Sequence, residues 1–239
     1  AEALARWNHP TRGFVRPDQF VALAEATGQM DRLTEVVLDQ ALAWFARSPL
    51  RKRGSLAVNL STSCLADVGL ADRVQSACRD YEVPAERLVL EITESSAMDR
   101  TADTFDTLTR LRLKGFHLSV DDFGTGYSSL GYLKGGHFNK LKIDQSFVRG
   151  CTENGDINPA IISAIVALAK ALGMETVAEG VEAMDELALV RSGLDDTMRT
   201  AYQAMRAVWH SRPDVEDLRV AAYIVSIGRV AATYRSKGL

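Results

Sequence analysis

Two adjacent carboxylates, Asp121 and Asp122, follow the apolar segment 116–120, and Gly124 and Gly126 come shortly after them. The apolar segment predicts a buried strand, and the glycines predict a sharp turn and a loop above the strand end. Adjacent acids repel each other unless a cation lies between them. Both can reach one cation only if the strand is already ending there, because neighbouring side chains on a regular strand point to opposite faces. Carboxylate oxygens suit Mg²⁺, Mn²⁺ or Ca²⁺ better than zinc.

The alternative is that the two aspartates only cap the backbone of a turn. This alternative weakens because other polar residues occupy equivalent places along the chain, and the strand ends carry Glu2, Asn59, Glu91, Lys142 and Glu179 in addition to the aspartates. Strand and helix patterns alternate at least five times, which predicts parallel strands covered by helices, apolar on both faces. In a βα barrel the carboxyl ends of the strands converge on one mouth, so we expect these side chains to surround one cavity.

The elements that would position these residues follow from the apolar periodicity. The predicted strands cover 55–61, 88–95, 116–120, 141–144 and 175–180, and residues 1–10 contain the end of a further strand that runs into a loop. The predicted helices are two within 17–41, followed by 70–81, 104–113 and 161–172. Lys142 and Asp144 lie on one side of their strand, so a simple lysine–aspartate pair is the alternative to a role for Lys142 in the cavity.

Composition narrows the class of protein. The chain has 239 residues, of which 46% are hydrophobic, enough for a large core in one α/β domain. The formal charge of −3 argues against duplex nucleic acid as a partner. Three cysteines without metal-type spacing indicate reduced thiols and a cytoplasmic location. No apolar run approaches the ~18 residues that span a bilayer, no signal peptide is visible, and the abrupt start at Ala1 suggests a piece of a longer protein.

Two other motifs point to different chemistry but are incomplete. Gly124-Thr125-Gly126 after a strand matches part of a dinucleotide-binding fingerprint. The third glycine is missing, and the two aspartates before it would repel a pyrophosphate. The four histidines show no ligand spacing, which argues against a zinc site.

Six motifs occur in a fixed order along the chain. They are Glu2-Ala3-Leu4 with Arg6-Trp7, Asn59-Leu60-Ser61, Glu91-Ile92-Thr93-Glu94-Ser95, the segment from Asp121 to Leu130, Leu141-Lys142-Ile143-Asp144, and Ala178-Glu179-Gly180-Val181-Glu182. In this order they resemble the EAL domain, a family of bacterial phosphodiesterases that open cyclic di-GMP to linear pGpG. The resemblance covers residues 1–187 and implies an α/β fold, a TIM-like (β/α) barrel.

The resemblance also implies roles for individual residues. The implied ligands of two Mg²⁺ or Mn²⁺ ions are Glu2, Asn59, Glu91 and Asp121 for the first, and Asp121, Asp122 and Glu179 for the second. The implied catalytic residues are Lys142, beside the attacking water, and Glu179, which could accept the proton of that water. The implied substrate contacts are Leu4, Arg6 and Asp144. Glu94 would support the loop after Asp122.

The sequence departs from the family at both ends. The family's first strand, upstream of Glu2, and its C-terminal strand with a glutamine near the metal-bound water have no counterpart here. Residues 185–238 instead show a helical pattern, and the tail 188–239 resembles the C-terminal helices of bacterial NAD-dependent glutamate dehydrogenases. We therefore expect an EAL-type domain over 1–187 with an incomplete barrel, followed by a helical tail of unrelated origin. The tail or a second copy of the chain would cover the open edge of the sheet. A homodimer is therefore one of the two alternatives.

The predicted activity is hydrolysis of cyclic di-GMP by a two-metal mechanism, with little turnover as an isolated monomer because the barrel is not closed. The alternative is a catalytically impaired module that binds cyclic di-GMP or a protein partner. A sensory or regulatory domain is expected in the parent protein.

Overall fold

The computed structural model describes residues 1–97, 101–126, 131–149, 158–182 and 190. The chain divides into two compact units, the first comprising residues 1–149 and 168–181 and the second residues 150–167 and 182–239. Every strand of the described residues lies in the first unit. Apart from Val190, the predicted tail over 188–239 lies outside the described residues.

Strands and helices alternate along the described residues. The strands are β1 (Glu2–Ala3), β2 (Trp7–His9), β3 (Gly13–Val15), β4 (Leu56–Leu60), β5 (Leu88–Thr93), β6 (His117–Phe123), β7 (Lys140–Ile143) and β8 (Glu175–Ala178). The α-helices are α1 (Pro17–Ala26), α2 (Met30–Arg47), α3 (Thr62–Leu65), α4 (Leu70–Asp80), α5 (Glu94–Ala97), α6 (Ala102–Leu113), α7 (Gln145–Val148) and α8 (Asn158–Ala171). None of the helices in the described ranges has the length and apolar character needed to cross a membrane.

Six strands form one parallel sheet in the order β1-β4-β5-β6-β7-β8. This order follows the chain, as successive right-handed βα units require. Among the described residues, no strand pairs with the outer edge of β1 or of β8. The described residues therefore form a TIM-like (β/α) barrel that is incomplete, as the sequence predicts.

The core lies around the central strands. Leu88, Leu90 and Ile92 of β5 are fully buried, and so are Leu118 and Val120 of β6. These strands are covered on both faces, which confirms the expectation for parallel strands. The expectation is wrong for β8, whose residues are exposed or half-buried in alternation. No strand of the described residues pairs with its outer edge.

Two local elements differ from the prediction. The segment expected to be a loop after β1 forms a hairpin of β2 and β3, in which His9 pairs with Gly13. Gly13 has φ +69°, a conformation that glycine adopts at no steric cost. Strand β5 ends at Thr93, before the predicted end at 95, because the Thr93 hydroxyl accepts a hydrogen bond from the Ser96 amide and caps the short helix α5.

Candidate functional site

Strand register brings the predicted site residues to one region of the sheet. Asn59 of β4 pairs with Glu91 of β5, and Thr93 of β5 pairs with Asp121 of β6. Glu179 directly follows β8 and donates its amide to the carbonyl of Ile143 on β7. Glu91 and Lys142 lie within their strands rather than at the ends, a difference from the predicted placement.

The ammonium group of Lys142 is the centre of an acidic cluster. Its Nζ lies 3.0 Å from Oε2 of Glu91, 3.0 Å from Oδ1 of Asp121 and 2.7 Å from Oε1 of Glu179. Oε2 of Glu2 is 3.9 Å away. The alternative pairing of Lys142 with Asp144 is wrong, because the lysine contacts these four carboxylates instead.

Asp121 and Asp122 present their carboxylates to the same region by an irregularity of β6. The pairing of β6 with β7 shifts register between Val120 and Phe123, and Asp122 has φ +53°. The left-handed conformation turns the Asp122 side chain away from the alternation of a regular strand, and aspartate tolerates it better than most residues. One carboxylate oxygen each of Asp121, Asp122 and Glu179 lie within 4.8 Å of one another. The strand therefore does not have to end at Asp121, as the sequence argument required, for both acids to reach one ion.

Glu2 and Asn59 form the other side of the cluster. Nδ2 of Asn59 donates to Oε1 of Glu2 at 3.1 Å. Through this contact and the approach of Glu2 to Lys142, strand β1 is joined to the acids on β5, on β6 and directly after β8.

Burial and crowding shift the pKa values in the cluster. Burial raises the pKa of Glu91 to about 7, although the Lys142 ammonium opposes the shift. Burial also raises the pKa of Asp122, assisted by the neighbouring charges of Asp121, Asp144 and Glu179. Burial lowers the pKa of Lys142, but its hydrogen bonds to Glu179 and Glu91 outweigh this and leave the pKa raised. The raised pKa of Lys142 keeps its ammonium charged at neutral pH, whereas the raised pKa of Glu91 lies near neutrality.

Glu94 lies beneath the loop that follows Asp122. Its side chain is 2% exposed, and its Oε2 accepts hydrogen bonds from the amides of Gly124 at 2.8 Å and Gly126 at 3.4 Å. A Cβ atom on Gly126 would lie only 3.5 Å from this carboxylate, so the loop backbone lies directly against it.

The predicted substrate contacts do not all lie with the cluster. Asp144 accepts a hydrogen bond from the Ser146 amide at 2.9 Å and caps α7. Burial acts to raise the pKa of Asp144, but this and other hydrogen bonds outweigh burial and leave the pKa lowered. Leu4 and Arg6 are exposed and line a separate, largely apolar groove of about 750 Å³ formed with α1 and α2. Glu2 lines both this groove and the cavity beside Lys142.

Ser119 is a residue of the site that the sequence argument missed. It is fully buried on β6 and lines a cavity of about 430 Å³ together with Glu91 and Lys142. Its hydroxyl has no hydrogen-bond partner among the residues that the structure describes. Its position two residues before Asp121 places both side chains on the same face of the strand. A polar residue at that spacing inside an apolar strand is the signal that could have identified it.

The donor set fits a hard divalent cation. The three acids within 4.8 Å of one another offer carboxylate oxygens, and Glu2, Glu91 and Asn59 offer further oxygens close by. Mg²⁺ and Mn²⁺ are bound by such ligands, and no soft donor is present in this set.

Residues 1–198 match the sequence profile of the EAL domain. The chain belongs to the EAL domain family. Two curated relatives from Pseudomonas aeruginosa are the cyclic di-GMP phosphodiesterase NbdA, 42% identical over 192 residues, and the bifunctional diguanylate cyclase/cyclic di-GMP phosphodiesterase MucR, 43% identical over 185 residues. These matches cover 80% and 76% of this chain but only 24% and 27% of the relatives, so the chain spans about a quarter of their length.

The fold of this chain also matches solved structures. The structure of the PaMucR phosphodiesterase in complex with c-di-GMP matches with a TM-score of 0.72 and 40% sequence identity, over 80% of this chain and 78% of that one. The family match extends to residue 198, whereas the sequence predicted a boundary at 187, and this boundary stays a prediction. The likeness of the tail to glutamate dehydrogenases also stays a prediction.

Proposed function

We propose that this EAL domain hydrolyses cyclic di-GMP to linear pGpG with two Mg²⁺ or Mn²⁺ ions. The observation that carries the proposal is the convergence of the Glu91, Asp121 and Glu179 carboxylates on Lys142, with Asp122 turned into the same cluster. Relatives named as cyclic di-GMP phosphodiesterases support the substrate, since they match over four fifths of this chain.

The side chains divide into two proposed ligand groups that share Asp121. Glu2, Asn59, Glu91 and Asp121 would hold the first ion, and Asp121, Asp122 and Glu179 would hold the second. When bound, such ions lower the pKa of a water molecule and neutralise charge that develops on the phosphoryl oxygens.

The chain's own residues handle the proton and the remaining charge. Glu179 follows an edge strand and its side chain is 29% exposed, so it can take a proton from water and release it to solvent. Lys142, held as a cation by its carboxylate neighbours, can orient that water or stabilise negative charge on the substrate. Arg6, whose guanidinium forms a fork of donors, is the proposed contact to a phosphate oxygen, with Leu4 and Asp144 as further substrate contacts.

A second candidate is a module that binds cyclic di-GMP without cleaving it. The open sheet favours it, because Glu2 and Glu179 lie on or next to strands whose outer edges have no partner among the described residues. A chain with loosely held ligands at both edges could retain affinity for the dinucleotide and lose turnover.

One pair of measurements separates the two candidates. Binding of cyclic di-GMP is measured by calorimetry in Ca²⁺, and formation of pGpG is followed by chromatography in Mn²⁺. Product formation that stops reversibly on chelation supports the enzyme. Binding without product supports the second candidate, and the absence of both contradicts the two proposals.

A further inference from the structure

We infer that Thr62 and Ser96 are positioning residues of the site, joined in a chain of hydroxyl groups that fixes Glu94 beneath the loop after Asp122. This inference rests on the proposed function only in its metal-binding consequence. The hydroxyl chain and its effect on the backbone amides that Glu94 holds do not depend on metal binding.

The chain links the exits of two strands. The Ser96 hydroxyl on α5 contacts the hydroxyl of Thr93, the last residue of β5, at 2.7 Å. It also forms a hydrogen bond with the hydroxyl of Thr62, the first residue of α3, which follows β4 and Asn59. Each hydroxyl has one proton and can accept as well as donate, so Ser96 can donate to one threonine and accept from the other.

Helix α5 needs this support. It comprises only Glu94–Ala97, a single turn, and so short a helix is not stable without contacts to the rest of the protein. The Thr93 hydroxyl caps its first turn by accepting from the Ser96 amide at 3.4 Å. Ser96 is 7% exposed, so loss of its partners would leave a buried hydroxyl unsatisfied.

The turn of α5 determines where the Glu94 carboxylate lies. Glu94 is the first residue of α5, and its Oε2 holds the amides of Gly124 and Gly126. These glycines lie two and four residues after Asp122, whose left-handed conformation brings its carboxylate into the cluster. A tilt of α5 therefore loosens the loop next to Asp122, although Thr62 and Ser96 are not themselves assigned as ligands.

The test uses the full chain and two readouts. Hydrogen exchange of the Gly124 and Gly126 amides is measured by NMR without metal, and Mn²⁺ affinity is measured by calorimetry. We expect Ser96→Ala and Thr62→Val to speed exchange of these two amides roughly tenfold, since each variant breaks the chain that holds Glu94. We expect Mn²⁺ affinity to fall about 10–100-fold, the range for residues that orient metal ligands.

Two controls separate positioning from a general loss of stability. Thr62→Ser keeps the hydroxyl and should behave like the wild type. Thr109→Val removes a hydroxyl of α6 that bonds the carbonyl of Phe105 and the ring of His137, away from the cluster, and should leave both readouts unchanged. Glu94→Gln removes the carboxylate charge itself and shows how far amide exchange and Mn²⁺ affinity change in that case.

Exchange at Gly124 and Gly126 that rises in Thr62→Val, while the amides of β5 and β6 keep their protection, supports the inference. Wild-type exchange in Thr62→Val and Ser96→Ala, or an equal rise throughout the sheet, overturns it. If the wild type binds no Mn²⁺ but the amide effect appears, the proposed function fails and the positioning role stands.

Discussion

Lys142 and Glu179 form the shortest contact that the lysine makes in the acidic cluster, with 2.7 Å between Nζ and Oε1. The contact joins the interior of β7 to the residue that follows the edge strand β8. Glu91 and Asp121 share the same ammonium group from the central strands, each at 3.0 Å. One buried cation thus holds together acids from three parts of the sheet.

We first predict that Lys142→Met destabilises the fold in chelator at pH 8. Loss of the ammonium leaves several carboxylates close together, and removal of one partner from a buried charge pair costs about 3–5 kcal/mol in free energy of unfolding. Lys140→Met is the matched control on the same strand, since Lys140 pairs with Glu175 at 3.1 Å near solvent and should cost less than about 1 kcal/mol. Denaturant unfolding measures both.

Metal should compensate for the missing lysine. Because divalent ions supply the charge that the Lys142→Met cluster lacks, added Mn²⁺ should raise the melting temperature of this variant more than that of the wild type. Equal losses of stability in the two lysine variants would contradict the central role of Lys142.

A second prediction concerns Asp121, which belongs to both proposed ligand groups. Asp121→Asn keeps the side-chain volume but removes the shared charge, so hydrolysis should fall at least about 100-fold while the circular dichroism spectrum is unchanged. Asp106→Asn, at an exposed position of α6, is the control and should retain activity. Excess chelator should abolish turnover reversibly, and Ca²⁺ should support binding with poor turnover because its longer bonds spread the ligands. Full activity in chelator would disprove the metal-dependent mechanism.

Much of this cluster could be predicted from the sequence, because residue types and the succession of strand patterns along the chain are local features. Glu91, Asp121 and Glu179 follow directly from acids placed in or just after apolar strands. The left-handed Asp122 could not be predicted, since it depends on a register shift between β6 and β7 that pairs residues distant in sequence. The contact of Ser96 with Thr62 joins two separate strand exits, and no local pattern announces it.

The edges of the fold were harder to predict for the same reason. Residues 1–10 contain too little apolar alternation to indicate a hairpin, and the pairing of Trp7 with Val15 depends on the turn at Gly13. The placement of Arg6 and Leu4 in a groove with α1 and α2 depends on packing between elements, which the motif alone does not specify.

A third prediction follows from the raised pKa of Glu91. Burial raises this pKa to about 7, and only the deprotonated carboxylate binds a metal ion. Above pH 7 the ligand is already ionised, whereas below pH 7 the ion must displace a proton. Mn²⁺ affinity should therefore fall as the pH decreases from 8 to 6, approaching about tenfold per pH unit.

Calorimetry in buffers of different ionisation enthalpy checks this directly. About one proton should be released per site at pH 6 and fewer at pH 8. Glu91→Gln should bind Mn²⁺ more weakly and lose this part of the pH dependence. An affinity that is flat between pH 6 and pH 8 in the wild type would show that no ligand carboxylate titrates in this range and would contradict the raised pKa of Glu91.

The last prediction concerns the open sheet and the rate of hydrolysis. The side chains of Glu2 and Glu179 are 35% and 29% exposed, compared with 7% for Glu91, so the acids at the two edges have the least support. A misplacement of about 1 Å in a catalytic arrangement can cost about 100-fold in rate. We therefore expect this chain, as an isolated monomer, to form pGpG at least about 100-fold more slowly than the EAL domain of NbdA in Mn²⁺, measured side by side by chromatography. Lys142→Met and Asp121→Asn give the background of each assay. A rate equal to that of NbdA would show that Glu2 and Glu179 are held well enough, although no strand in the described part of the chain pairs with the outer edges of β1 and β8.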